Sequence, residues 1–276
     1  MSHKNSILLV DPEFDPSTAP DCNLLLKITA DSFSYAIIDK TSNQLKAVYD
    51  QQECHNIPQA LSAKLKNDSY LNLAFKEIKV AVYTENSISI PNDLFDANNL
   101  DQYAKFFTEE QSDNLYIRPF SSYGFTSIFT LHRFIDETLA DSLLSCKLFD
   151  QLAPVLAMTR DQQQKSLILD FTASSFNAVV TEGEKLIFRN YYEVANAEEF
   201  NYYLLFIINQ LQLNTKESNV QLSGIIHEND HYYQCIEKYF KNISFISPLS
   251  DQVDHKILDD MPAHYYSSLL ALDLCE

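Results

Sequence analysis

A ten-residue stretch at residues 24–33 (LLLKITADSF) returns with few changes at residues 167–176 (LILDFTASSF). In both halves, an apolar run, a polar turn and a second apolar run follow the stretch. Six aligned pairs are identical, namely Leu24 and Leu167, Leu26 and Leu169, Thr29 and Thr172, Ala30 and Ala173, Ser32 and Ser175, and Phe33 and Phe176. A repeat of this kind predicts that one structural unit is present twice in the chain.

Each copy opens a predicted meander of three strands with short polar turns. The predicted strands lie at residues 24–28, 33–38 and 45–49 in the first half and at residues 167–171, 176–181 and 186–191 in the second. The second half continues with a helix at residues 198–211, a strand at 220–226, a helix at 230–240 and a strand at 243–246. The predicted order is therefore three strands, a helix, a strand, a helix and a strand.

The first half matches this order only if a segment is skipped. Its fourth strand is predicted at residues 125–131, its second helix at 134–144 and its fifth strand at 146–149. The longer connection before the fourth strand predicts an inserted subdomain within about residues 57–120. We expect a first half at residues 1–160 and a second half, with a C-terminal helix, at residues 161–276.

Composition limits the partners and the compartment. The formal net charge of −18 repels nucleic acid and anionic lipid, so neither a nucleic acid nor a membrane is expected as a partner. Five dispersed cysteines without a Cys-x-x-Cys pair predict reduced thiols in a cytoplasmic protein. Three glycines, Gly124, Gly183 and Gly224, leave little room for glycine-built loops. A short apolar run at residues 7–10 predicts a strand before an acidic, proline-containing arm.

Two tandem copies of this strand and helix order, the first interrupted, resemble the actin-like ATPase fold shared by actin, sugar kinases and heat-shock chaperones. The chain also resembles an uncharacterised bacterial protein family that has this fold and degenerate nucleotide motifs. The resemblance implies an α/β protein with duplicated ribonuclease-H-like halves. Each half is expected to hold a mixed five-stranded sheet flanked by helices.

In proteins of the actin-like fold, each meander begins with an Asp-x-Gly hairpin whose amides grip phosphate, while the aspartate reaches the metal. The first such aspartate position is Lys27 here, and its glycine position is Thr29. The second aspartate is kept as Asp170, but Thr172 follows where glycine is expected. The adenosine-side motif, Leu-x-Gly-Gly in the fold, reads LSGI at residues 222–225. The candidate cleft residues are Lys27, Thr29, Asp170, Thr172, Ser174, Ser175, Ser223 and Gly224.

These replacements argue against conventional ATP hydrolysis. Threonine tolerates the positive φ of a phosphate-binding turn poorly, and Lys27 removes one of the two carboxylates that would support magnesium. We expect no cofactor and a non-catalytic protein-binding or scaffolding module that contacts an unknown protein partner through the inserted subdomain. The alternative is a protein that still binds ATP and magnesium, or a weak ATPase, in the interdomain cleft.

Lys27 and Asp170 occupy equivalent positions of the repeat, and equivalent positions face each other across the cleft of this fold. One hypothesis is that the two side chains approach closely as an ion pair. The other is that each points into solvent from the end of its strand.

The sequence HENDH at residues 227–231 matches the His-Glu-x-x-His pattern of zinc proteases. That chemistry needs both histidines in one helix, whereas the pattern predicts a strand up to residue 226 and a helix N-cap at Asn229 or Asp230. His227 is therefore expected in an exposed loop before the helix, with zinc hydrolysis as the opposing hypothesis.

Other polar and aromatic pairs are interpreted as surface features. The acidic pairs are expected to be solvated; they are Glu109 and Glu110, Asp136 and Glu137, and Asp259 and Asp260. Each tyrosine doublet is expected to place one ring on the core and one at the surface. The doublets are Tyr202 and Tyr203, Tyr232 and Tyr233, and Tyr265 and Tyr266.

Overall fold

Two sheets of similar topology organise the chain, one in each of the units Met1–Ala153 and Pro154–Glu276. The computed structural model describes residues 5–108, 112–159, 165–247 and 253–275. The acidic pair Glu109 and Glu110 lies outside the described residues. Among the described residues, no helix is long and apolar enough to cross a membrane.

The first unit consists of strands, two longer helices and short helical segments. Its strands are β1 (Ser6–Val10), β2 (Cys22–Ile28), β3 (Phe33–Asp39), β4 (Gln44–Gln51), β5 (Glu77–Val82), β6 (Ser87–Pro91), β7 (Tyr116–Phe120), β8 (Phe125–Phe129) and β9 (Lys147–Asp150). Its helices are α1 (Ile57–Asn67), α2 (Leu100–Ala104), α3 (Arg133–Ser142) and α4 (Leu152–Ala157), the last of which includes the boundary between the units.

Six of these strands form the main sheet in the order β1-β4-β3-β2-β5-β9. Neighbouring strands are antiparallel from β1 through β4 and β3 to β2. Strands β2, β5 and β9 are parallel to one another. Every residue of β2 is buried, which explains its nearly continuous apolar run, since both faces of the sheet are covered there. Helix α1 packs Ile57, Leu61 and Leu65 onto one face of this sheet.

The second unit holds β10 (Lys165–Phe171), β11 (Ser175–Glu182), β12 (Lys185–Glu193), β13 (Asn219–Gly224) and β14 (Asn242–Phe245). Its helices are α5 (Ala197–Gln210), α6 (His231–Glu237) and α7 (Ser267–Ala271). The sheet order is β12-β11-β10-β13-β14, with β10, β13 and β14 parallel. This order and these directions equal those of β4-β3-β2-β5-β9 in the first unit.

The predicted class, a mixed α/β protein with helix-flanked sheets, is confirmed, but two assignments in the first half differ. The first sheet contains one strand more than predicted, because β1 joins its edge. The assignment of residues 125–131 as the fourth strand was wrong. Strand β8 pairs with β6 and β7 in a separate three-stranded sheet, and β5 takes the fourth position beside β2.

The additional segment therefore lies between β5 and α3. The insertion was predicted somewhere within about residues 57–120, a range that also includes helix α1 and strand β5, and both of these belong to the core. Both β5 and β8 are short, apolar and buried, so their patterns are equally suited to the core sheet. Only pairing partners distant in sequence distinguish the two.

Two buried aspartates attach the three-stranded sheet to the core of the first unit. Asp150, at the end of β9, accepts hydrogen bonds from the hydroxyls of Ser87 and Ser127, both at 2.6 Å. Asp136, on α3, accepts hydrogen bonds from the side chains of three residues just before or within β7: Ser112, Asn114 at 2.8 Å and Tyr116 at 2.5 Å. The prediction that Asp136 is a solvated surface residue was thus wrong, since its exposure is 4%.

Asp136→Ala should lower the free energy of unfolding by about 2–4 kcal/mol, because three polar side chains lose a charged, buried acceptor. The matched control is its exposed neighbour in Glu137→Ala, for which we expect a change within about 0.5 kcal/mol. Urea unfolding followed by circular dichroism measures both. Equal effects of the two substitutions would contradict the anchoring role of Asp136.

Candidate functional site

In the first unit, the hairpin between β2 and β3 is closed by the side chain of Thr29. The backbone N–H of Thr29 donates to the carbonyl of Ser32 at 2.9 Å. The Thr29 hydroxyl oxygen accepts from the backbone N–H of Ser32 at 2.9 Å and of Asp31 at 3.3 Å. It also lies 2.6 Å from the Ser32 hydroxyl. The amides at the tip of this turn are therefore bound by a side chain of the turn itself.

The second unit repeats this arrangement between β10 and β11. The N–H of Thr172 donates to the carbonyl of Ser175 at 2.9 Å, and the N–H of Ser175 donates to the Thr172 hydroxyl at 3.1 Å. The two hydroxyls lie 2.6 Å apart. Ser174 is held at the tip, where its carbonyl accepts from the N–H of Val194 at 2.9 Å.

Neither turn has the geometry of an anion-binding nest. Such a nest needs consecutive backbone N–H groups that point together at the ligand, usually with a residue at positive φ. Neither turn contains a residue at positive φ. In both turns, a backbone N–H group that could otherwise donate to a phosphate oxygen donates to the threonine hydroxyl. The threonine and serine pairs stabilise each turn through contacts within the chain.

Lys27 is buried near the end of β2, in register with Ser34 on β3, which in turn pairs with Asp50 on β4. Burial raises the pKa of the Asp50 carboxyl to about 6, while a hydrogen bond from Gln52 and the positive charge of Lys27 oppose this increase. The charge of Lys27 therefore interacts favourably with a carboxylate of its own unit. Lys27 belongs to the first unit and Asp170 to the second, and their proximity stays a prediction.

Asp170 is fully buried near the end of β10, beside Ser223 on the neighbouring parallel strand β13. The Ser223 hydroxyl donates to the Asp170 carboxylate at 2.8 Å. The structure thus brings together two of the predicted site residues, one from each motif of the second half. Asp170, whose equivalent lies near a metal in proteins of the actin-like fold, therefore accepts a hydrogen bond from a serine of its own sheet.

Gly224 is required by the packing of strand ends. Its φ is +79°, and a Cβ atom at this position would lie 2.0 Å from the carbonyl oxygen of Phe171. The next residue, Ile225, donates its N–H to that same oxygen at 3.0 Å. The surviving glycine of the adenosine-side motif therefore has a structural reason to be glycine, because β13 ends in close contact with β10.

The C-terminal segment of the chain covers the carboxyl ends of β13 and β14. The carbonyl of His264 accepts from the N–H of Gly224 at 2.9 Å, and its Nε2 lies 2.7 Å from the carbonyl of Ile226 and so carries the hydrogen. The His264 ring stacks on Phe245, with 4.1 Å between centroids, and burial lowers the pKa of the imidazole. Ser267 donates to the carbonyl of Ile246 at 2.7 Å. Open α/β sheets bind ligands outside the carboxyl ends of their strands, and here this chain fills part of that edge.

The zinc-protease pattern is divided between a loop and a helix. Helix α6 begins at His231, and the Asp230 side chain caps it by accepting from the N–H of Tyr232 at 2.8 Å. His227 precedes the helix, in agreement with the predicted helix boundary. Its ring contacts the hydroxyl of Tyr265. No cluster of three or more metal-binding side chains occurs in the described ranges.

Two of the three tyrosine doublets divide between core and surface as predicted. Tyr202 is 65% exposed while Tyr203 packs on Tyr192, and Tyr266 is buried beside the half-buried Tyr265. Tyr232 and Tyr233 are both half-buried.

Some residues that shape the site were not predicted. The sequence did contain a signal for the hydrogen bonds that close the hairpins. The threonine and the serine of the first turn are both identical to their aligned residues in the second turn. Asp50 and His264 had none, because their roles arise from strands and segments distant in sequence.

Comparisons with known proteins bear on the family and the fold. A family model described as "Protein of unknown function (DUF3822)" matches residues 11–243. No curated protein matches the sequence significantly. A crystal structure of a Bacteroides thetaiotaomicron protein, described as having an actin-like ATPase fold and unknown function, has 15% identity and a TM-score of 0.76; the match covers 95% of this chain and 99% of that chain.

Two further solved structures share the fold at lower similarity. The PilM-PilN type IV pilus biogenesis complex matches with 14% identity and a TM-score of 0.58, covering 91% of this chain and 97% of that chain. The ethanolamine utilization protein EutJ from Carboxydothermus hydrogenoformans matches with 9% identity and a TM-score of 0.51, covering 97% and 93%. At these identities the similarity shows the fold, and the predicted actin-like ATPase fold is confirmed.

Gly224→Ala should destabilise the second unit by about 3 kcal/mol or more, since the added methyl group meets backbone atoms of Phe171 and the residue must keep positive φ. Gly183→Ala is the control, because Gly183 also has positive φ but no atom within 4 Å of the added carbon. We expect a cost of about 1 kcal/mol there. Thermal unfolding of both variants measures the difference, and equal costs would contradict the close approach of β13 to Phe171.

Proposed function

Since the chain belongs to the family of proteins of unknown function DUF3822 and has the actin-like ATPase fold, we propose that it is a protein-binding or scaffolding module without nucleotide chemistry. We place it in the cytoplasm. All five cysteines lie in the described part of the chain as free thiols, which suits a reducing compartment.

The observation that carries this proposal is the closure of both hairpins by threonine. A phosphate group would have to displace the Thr29 and Thr172 hydroxyls from backbone N–H groups at 2.9 and 3.1 Å, and the backbone would then have to turn those groups outward. β-Branched residues resist the positive φ of such a turn. Nucleotide binding would thus begin by breaking hydrogen bonds that the protein already makes.

The contacts of the second unit support the same proposal. The N–H of Gly224 and the carbonyl of Ile226, at the end of β13, are bound by His264. The surviving glycine is explained by its contact with Phe171 and implies no ligand. The residues that resemble an adenosine site thus have structural roles in this chain.

The segment between β6 and β7 offers an exposed apolar surface for a partner. Leu94 is 72% exposed and Phe106 is 76% exposed, far above the exposure of the core residues. The loop that carries them is held by a stacked pair, Phe95 and Tyr103, and by a hydrogen bond from the Tyr103 hydroxyl to the carbonyl of Leu94 at 3.2 Å. Exposed apolar side chains on an ordered loop are typical of protein interfaces.

The fold is compatible with such a role. One structure that shares it is described as a complex of two proteins, PilM and PilN, in type IV pilus biogenesis. That description applies to PilM and PilN alone. It supports the proposal only as an example in which a protein structure of this fold includes a protein partner.

The second candidate function is nucleotide binding, which the buried Asp170 favours. This carboxylate and its serine neighbour Ser223 retain the acidic group of one phosphate motif. Thr172, Ser174, Ser175 and Gly224 would complete a modified site, with magnesium held at Asp170.

Titration of the full chain with ATP and magnesium in a calorimeter distinguishes the two candidates. We expect no heat beyond that of dilution up to millimolar ATP, because the hairpin amides are already bound. Binding with micromolar affinity in the wild-type protein, lost in Asp170→Ala, would instead establish the second candidate. Asp254→Ala, at a partly exposed carboxylate of the same unit, controls for a general effect of charge.

Capture of partners from the protein's own cells tests the surface of the inserted segment. We expect a partner that the wild-type chain retains and that the double variant L94S/F106S loses at least tenfold, because both substitutions remove exposed apolar anchors. Leu144→Ser is the matched control, since Leu144 is 82% exposed but lies between α3 and β9. Quantitative mass spectrometry measures retention. A partner whose binding depends on neither exposed residue would contradict this assignment.

A further inference from the structure

Strand β1 ends the main sheet of the first unit, and one of its edges is free of strand pairing in the described residues. Two hydrogen bonds bracket its ladder with β4: Gln52 N–H to the carbonyl of Asn5, and Asp11 N–H to the carbonyl of Lys46. Hydrogen-bonded pairs alternate along an antiparallel ladder. The next such pairs are therefore formed by Ile7 and Leu9.

The backbone groups of Ser6, Leu8 and Val10 consequently point away from β4. Among the described residues, none of these outward backbone groups has a partner of its own. The edge of β1 thus presents a short row of N–H and C=O groups, which is the template that an added strand uses.

The other ends of the two main sheets differ from β1. Edge strands are usually made unsuitable for pairing by charged residues or by being very short. Strands β9 and β14 contain four residues each, and β12 carries Lys185, Arg189 and Glu193. Strand β1, with the sequence SILLV, carries no charge, and its Leu8 is 44% exposed. It is the least protected edge of these sheets.

A groove of about 500 Å³ lies beside this edge, between β1 and helix α1. Leu8 is in register with Tyr49, so its side chain lies on the face of the sheet that α1 covers. Two small residues of α1, Ala60 and Ala63, also line the groove, as does Tyr70. The side chains of an added strand would enter the space between Leu8 and α1.

The two charged residues that line the groove are already paired with each other. Lys64 bonds to Asp68 at 2.6 Å and lies over the Tyr49 ring, 3.5 Å from its centroid. The hydroxyl of Tyr35 donates to the same Asp68 at 3.0 Å.

Charge selects among the possible occupants. Helix α1 contains two lysines, Lys64 and Lys66, and no acidic residue, although the chain as a whole carries a net charge of −18. Lys66 is exposed and forms no ion pair in the part of the chain that the structure describes. A second copy of the chain would bring its own net negative charge, whereas a short acidic segment could place one carboxylate near the exposed Lys66 beside the groove.

We propose that the edge of β1 and the groove beside α1 bind an extended acidic peptide segment of a partner protein. The segment adds to the sheet as a seventh strand. Its backbone pairs with Leu8 and its neighbours, an apolar side chain packs between Leu8 and the alanines of α1, and a carboxylate lies near Lys66. This surface is separate in sequence from the exposed loop at Leu94 and Phe106, and the inference does not rest on that loop.

A library of random dodecapeptides displayed on phage, selected on the full chain, tests the proposal. We expect enriched peptides that alternate apolar and polar residues and carry an acidic residue. Fluorescence anisotropy with the synthetic peptides should then show at least tenfold weaker binding to Leu8→Pro, which removes an outward N–H without breaking a bond to β4. Lys66→Glu should weaken binding about three- to tenfold.

Further variants keep the result interpretable. Leu8→Glu retains the backbone and places a negative charge at the edge that repels an acidic segment, and Ala63→Tyr fills the groove from the exposed face of α1, so both should also weaken binding tenfold. Leu144→Ser and L94S/F106S should bind the peptides as the wild type does. The proposal is overturned if no peptide is enriched, if the selected peptides bind these groove variants unchanged, or if the chain forms a dimer in sedimentation that Leu8→Glu dissociates.

Discussion

A single hydrogen-bonding pattern, in which a threonine hydroxyl closes the first hairpin of each unit, has the widest consequences in this structure. In both hairpins, the hydroxyl binds the N–H group of a serine three residues later, and the serine carbonyl accepts from the threonine N–H. A glycine turn would leave those N–H groups free for a ligand at the cost of backbone entropy. Thr29 and Thr172 instead stabilise the turns without a ligand.

Internal contacts also engage other candidate site residues in each unit. Asp170 accepts a hydrogen bond from Ser223, the end of β13 is bound by His264, and the charge of Lys27 acts on Asp50. Buried polar groups are costly when unsatisfied, so a buried position of this kind needs a partner within the chain. The contacts of Asp170, Gly224 and Lys27 supply such partners.

Local elements were predictable because their signals are local. The meander strands followed from alternating and apolar runs, and helix α5 followed from the spacing of Phe200, Leu204 and Ile207, which all face the core. Sheet membership was not predictable in the same way. Strands β5 and β8 have similar apolar patterns, and only the parallel pairing of β5 with β2 assigns it to the main sheet. Asp136 was misplaced for a related reason, since its three donors lie more than a helix length away in sequence.

Gly224 shows why a retained motif residue is weak support for a retained activity. In the motif it resembles, glycine lets the backbone approach a nucleotide, and here it lets the backbone of β13 approach Phe171. Both uses need the same absent side chain and the same positive φ, so the sequence alone cannot separate them. The geometry separates them, because the space that a Cβ atom would need is filled by the chain itself. The position would therefore stay glycine whether or not a nucleotide ever bound, and its presence carries no information about activity.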